Sequence, residues 1–162
     1  MAKKISRGFV AAAAVIAAVL LVRCTMLGQS SKSGQPPGLV SGALAPCPTK
    51  PNCVCSEFPD DAEHYIAPLD YADARAEAAW ADIQRVVREL GGEIAVADGE
   101  YFAATFESSL FGFIDDVECR LDAAHHRIQI RSASRVGYSD LGVNRKRVAA
   151  IARAFAGGDA GE

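Results

Sequence analysis

The sequence predicts an α+β domain, with a single antiparallel sheet covered on one face by two helices, behind an N-terminal membrane segment and a flexible linker. Three observations predict it. Residues 8–22 carry no polar side chain. Apolar residues recur at three- and four-residue steps over 71–90, the mark of an amphipathic helix. From 93 to 131 apolar and polar residues alternate in runs broken by turn-forming residues, and a helical period resumes after 140. Helix, consecutive antiparallel strands and helix, in that order, form one sheet with its apolar face covered by helices.

The apolar run is fifteen residues long and follows Lys3, Lys4 and Arg7. Basic residues before a short apolar stretch have the form of an export signal, and they predict a cytoplasmic N-terminus with the remainder on the exported, periplasmic or extracytoplasmic side of a cell membrane. A comfortable span needs about 20 residues, so extension through Met26 and Leu27 requires Arg23 to snorkel toward the interface. Three outcomes stay open for residues 1–27: a retained anchor, a cleaved signal peptide, or a lipoprotein. Leu21-Val22-Arg23-Cys24 has the shape of a lipidation box with Cys24 as acceptor, although Arg23 stands where a small residue is expected.

Residues 28–46, rich in Gly, Ser and Pro, read as a flexible linker that lets the domain stand clear of the bilayer. Of the 162 residues, 47–156 remain as one ordinary domain, with 157–162 as a disordered tail. A net charge of −3 argues against nucleic acid, which asks for a basic face.

In the first helix Ala76, Ala79, Trp80, Ile83, Val86, Val87 and Leu90 form the apolar stripe, Asp70 or Asp73 can cap the start, and Gly91-Gly92 can end it. A short strand is expected around 64–68. Strands at 93–97 and 101–106 flank a turn at Asp98-Gly99-Glu100. The next, 113–121, places Phe113, Val117, Cys119 and Leu121 on one side and Asp116, Glu118 and Arg120 on the other. A turn at 123–126 leads to a last strand through Ile128 and Ile130. The last helix runs to about Phe155, with Leu141, Val148, Ile151, Ala152 and Phe155 on its buried side.

Five cysteines bear on compartment and chemistry. In an exported domain Cys47 and Cys53 can close a small disulfide loop, which contributes roughly 2 kcal/mol by chain entropy. The C-x5-C-x-C spacing fits no standard zinc pattern, and no metal or cofactor is expected. Cys119, on an apolar strand face, reads as a core residue.

The densest polar segment spans Asp115 to Arg147. Asp115, Asp116 and Glu118 on one strand, with Arg145 beyond, make a polar network in which Asp116 and Glu118 would face Gln129 and Arg131 across a hairpin. A candidate ligand site gathers Arg131, Ser132, Ser134, Arg135, Tyr138 and Asn144 beside a loop that feeds a helix N-terminus. Guanidinium forks and free backbone N–H groups together suit an anion. No nucleophile elbow, zincin helix, P-loop or dinucleotide fingerprint occurs. The reading is therefore a membrane-tethered binding or interaction module that takes a small anionic ligand or an envelope protein partner. An enzyme working on the 115–147 segment and a structural envelope protein are the alternatives.

Three stretches carry a resemblance. Cys47-Pro48 with Pro51-Asn52-Cys53-Val54, Phe113-Ile114-Asp115-Asp116-Val117-Glu118, and the long run from Arg131 to Arg147 together resemble the domain-of-unknown-function 1499 family, from about Cys47 to Phe155. The resemblance implies an exported domain behind a signal or membrane segment and brings no catalytic residue with it. Two departures stand out: Cys55 where the family usually has serine, and Cys119 in place of a larger apolar residue. A second bridge, Cys55–Cys119, would account for both.

Overall fold

The N-terminal apolar run continues as helix well past its last apolar residue. The computed structural model describes residues 7–72 and 75–158, so Lys3, Lys4, the proposed cap Asp73 and residues 159–162 of the expected tail lie outside the described residues. Helix α1 runs from Arg7 to Lys32, and its stretch Val10–Lys32 is long and apolar enough to cross a membrane. The segment expected as a linker is thus helical to Lys32 and then forms a small hairpin of β1 (Leu39–Val40) and β2 (Ala43–Leu44). Ser31 and Leu44 are fully buried, so residues 28–46 belong to the folded body. Composition concealed this, because Gly, Ser and Pro serve tight turns as readily as loose tethers.

Strands β3 (Cys53–Cys55) and β4 (Leu69–Asp70) follow, then α2 (Ala76–Glu89), β5 (Glu93–Asp98), β6 (Tyr101–Glu107), β7 (Ile114–Asp122), a single 3-10 turn, β8 (Arg127–Ser134) and α3 (Val143–Gly158). The main sheet has the order β3-β8-β7-β6-β5, with β4 beside β3 on the same edge of β8, and every strand pairing in it is antiparallel. The β1–β2 hairpin is a second sheet, so the expectation of a single sheet is corrected. At the expected 64–68 strand there is one bridge, Cys55 to Tyr65, and the strand proper comes later, at β4.

One face of the sheet forms the core. Val54, Phe102, Ala104, Val117, Cys119, Leu121, Ile128 and Ile130 pack against Ile83, Val86 and Val87 of α2 and Val148, Ile151 and Phe155 of α3. Helix α2 starts at Arg75 without a side-chain cap. It ends in a Schellman turn: Gly91, at φ 90, donates to Arg88 O, and Gly92 N donates to Val87 O. Two residues placed on the apolar stripes point outward instead. Leu90 closes α2 half exposed, and Leu141 precedes α3 with its side chain in solvent.

The other face is also buried, and polar. Residue pairs across β7 and β8 put Asp116, Glu118 and Arg120 on it, beside Ala133, Arg131 and Gln129. The β1–β2 hairpin covers this face: Gly38 N donates to Glu118, and Leu44 N donates to Glu57. A disulfide between Cys47 and Cys53 (Cα–Cα 5.7 Å) ties the chain after the hairpin to β3. Cys55 pairs with Arg131 on the polar face while Cys119 lies in the apolar core. They stand on opposite sides of the sheet and both are free thiols, so the suggested second bridge does not form.

Candidate functional site

The polar row on β7 is closed by partners at each step. Glu118, fully buried, accepts from Arg131 Nη1 at 2.7 Å, Tyr101 Oη at 2.9 Å and Gly38 N at 3.0 Å. Burial pushes its carboxyl above the ordinary value, against the pull of Arg131 and Tyr101. Burial and the neighbouring Glu118 likewise push the Tyr101 phenol up. Asp116 takes both arms of Arg135, at 2.8 and 2.7 Å, and Arg120 makes the same fork to Glu57, at 2.7 and 3.2 Å. Cys55, beside Arg131, has its thiol pushed up to about 11 by burial, which keeps it protonated and inert.

Asn144 holds a second cluster on the helix side. It is 1% exposed. Its amide donates to Asn52 O, Ser134 Oγ and Asp140, and its carbonyl oxygen accepts from Ser132 Oγ at 2.6 Å and Arg147 Nη1 at 2.7 Å. Arg147 reaches on to Asp115 at 2.7 Å and lies over the Phe106 ring. Asp140 caps α3 through Asn144 N and holds Gly142 N. Arg145 donates to the carbonyls of Tyr65 and Glu63.

The six candidate ligand residues therefore do not form one site. Arg131 and Arg135 point to the polar face and are closed on carboxylates. Ser132, Ser134 and Asn144 belong to the cluster behind the sheet, and Tyr138 is 70% exposed on a loop. The reason is the period of two in a strand, which sends Arg131 and Ser132 to opposite sides. Arg145 likewise stands apart from Asp115, Asp116 and Glu118, whose arginine partners are Arg147, Arg135 and Arg131. Asp115 is engaged by Arg147 and Asp140 by Asn144 N, and no group of three or more metal-ligating side chains converges among the described residues.

What the sequence did not indicate is a pocket at the foot of α1. It has a volume of about 230 Å³ and mostly apolar walls: Leu27 from α1, Phe113 and Ile114 from the start of β7, and Val136 and Val143 from the approach to α3. Asp115, Ser134 and Asp140 add polar atoms. At a water's share of ~30 Å³ the space holds roughly eight groups of water or methylene size. The last turns of α1 are seated hard against the domain here. Ile114 N donates to Ser31 Oγ, Arg135 Nη1 donates to Ser31 O, and Lys32 pairs with Glu107 at 2.8 Å. A side chain on Gly28 would overlap the Phe111 carbonyl. Leu141, next in the chain to the lining residue Asp140, is 87% exposed in a left-handed backbone conformation (φ 55) that costs a leucine about 1 kcal/mol or more.

The stretches that carry the resemblance thus converge. Asn52 O accepts from Ser134 N and Asn144, Asn52 Nδ2 donates to Gly137 O, and the same run supplies the pocket wall. The family model for the protein of unknown function DUF1499 matches residues 43–155. The chain belongs to the DUF1499 family. The match begins within the β1–β2 hairpin, so the DUF1499 domain includes part of the segment read as linker. Comparison with curated proteins and with solved structures returned no match. In this DUF1499 domain the Pro51–Cys53 and Arg131–Arg147 stretches are bound to each other through the side chains of Asn52 and Asn144.

Proposed function

We propose that this chain is a membrane-held binding module, with α1 as the tether, its N-terminus in the cytoplasm and the domain on the exported side of the cell envelope. Its pocket at the foot of α1 takes an apolar group of a small, uncharged or amphiphilic ligand. The observation that carries the reading is that one wall of the pocket, Leu27, belongs to the apolar helix itself and the other walls to the DUF1499 domain. A mostly apolar concavity with a few converging polar groups is the usual form of a small-molecule site. Its lining carries no lysine or arginine, which disfavours an anion. The basic residues Lys3, Lys4 and Arg7 support the orientation.

Native mass spectrometry of the full chain, gently extracted from its own membrane, tests this. A non-covalent added mass is expected on the parent and is lost in Val136→Trp, which fills the pocket. Parent and variant each found at its own bare protein mass, with nothing added, would overturn the binding role and leave a structural one. The same spectrum reads whether the chain is cleaved and whether Cys24 carries lipid.

A further inference from the structure

Among the described residues outside α1, the most exposed large apolar side chains are Leu110 (78%), Tyr138 (70%) and Leu141 (87%). They lie on the two loops, 108–113 and 135–142, that meet Leu27 around the pocket. From Val10 to Leu27 the helix rises ~27 Å at 1.5 Å per residue, close to the thickness of a bilayer's hydrocarbon core. Leu27 then falls at the membrane boundary. The domain has no slack beyond it, because Gly28, Ser31 and Lys32 are bonded or packed to Phe111, Ile114, Arg135 and Glu107. Wherever Leu27 is held, the two loops are held at the same level.

We propose that loops 108–113 and 135–142 form a bilayer-contacting face that seats the domain flush on the lipid surface, with Leu110, Tyr138 and Leu141 in the interface. The inference rests on α1 being a membrane span and adds to it a fixed orientation of the domain. It gives the strained, solvent-facing Leu141 an apolar partner that the fold does not supply. It suits Tyr138, whose ring and hydroxyl match the headgroup level. It also makes the pocket open toward lipid, so that an apolar ligand enters from the bilayer. The opposite end of the sheet, with Gly99-Glu100 and His125, stands ~25 Å away along β7 and stays in water.

Tryptophan quenching tests the face on the full chain reconstituted in phosphatidylcholine–phosphatidylglycerol vesicles containing brominated lipid. Native Trp80, bonded to Gly99 O at the far end, supplies the baseline. Leu110→Trp, Tyr138→Trp and Leu141→Trp are expected to lose most of their added emission, as Val15→Trp within α1 does, while His125→Trp keeps its own. If Val15→Trp is quenched and the loop tryptophans are not, the seating is overturned and the tether stands. If Val15→Trp is unquenched as well, both fall. Loop tryptophans that escape brominated lipid yet are shielded from aqueous acrylamide would assign the face to a protein partner and overturn the proposal.

Discussion

The two faces of the main sheet are buried to a similar degree by opposite chemistry. On the helix side Val117, Cys119, Ile128 and Ile130 pack in one apolar cluster with residues of α2 and α3. On the hairpin side Asp116 and Glu118 are as deeply buried, and each has an arginine in bonding distance. The apolar face tolerates local change at the cost of a cavity. The polar face is held by stoichiometry, since removing one partner strands a charge where water cannot reach it. Burial on the second face is made by the hairpin and its disulfide, so a short segment anchored by Leu44 decides whether that face is dry.

The largest test of this contrast is Glu118→Ala. It leaves Arg131, already lacking a partner at Nε, as an unpaired buried cation. An unfolding free energy lower by about 3–5 kcal/mol is expected in denaturant titration. Replacing both partners, Glu118→Leu with Arg131→Met, should recover most of that loss. A Glu118→Ala loss near zero would mean that water enters beneath the hairpin. Next comes Ile130→Ala on the apolar face, where a loss of about 3 kcal/mol is expected from lost transfer and residual cavity. If it exceeds the loss from Glu118→Ala, the ranking of the two faces is broken.

The smallest effect is at the end of the polar row, where water returns. Asp122 bonds to His125 at 2.9 Å. Partial burial opposes its ionisation, but His125 and Arg120 outweigh this and hold the carboxyl below its ordinary 3.8. A folded-state value below the unfolded one means the contribution is present above 3.8 and lost as pH falls through the depressed value. Parent and Asp122→Asn should therefore differ slightly in urea midpoint at neutral pH and converge in acid. A difference that grows on acidification would reverse the sign and place another group in control.

Much of the sheet was legible because alternation with period two reports which side of a strand a residue takes. The row of Asp116, Glu118 and Arg120 opposite Val117, Cys119 and Leu121 came out as read, as did the Cys47–Cys53 disulfide and the turn at Gly99. Alternation is silent about what covers the second face. A polar row looks solvated whether or not a hairpin lies over it, so the linker reading missed the cover that residues 38–44 make. Leu141 reads as part of a buried stripe because it stands seven residues, about two helical turns, before Val148. Its positive φ, set by the turn into α3, sends it outward instead.

What the sequence by itself determined is local: the apolar helix, the amphipathic α2 and α3, the strands and their two-sidedness, and the family to which the chain belongs. These follow from backbone periodicity and nearest neighbours. Only the tertiary structure decided that the chain at Gly38 closes over Glu118, that Asn144 and Asn52 lock two distant stretches together, and that Leu27 and two loops line a pocket. Such facts depend on contacts between residues some 80 to 100 positions apart, such as Ser31 with Ile114 and Arg135. No local pattern records them, because the free energy that selects them is gained only when the whole chain has closed.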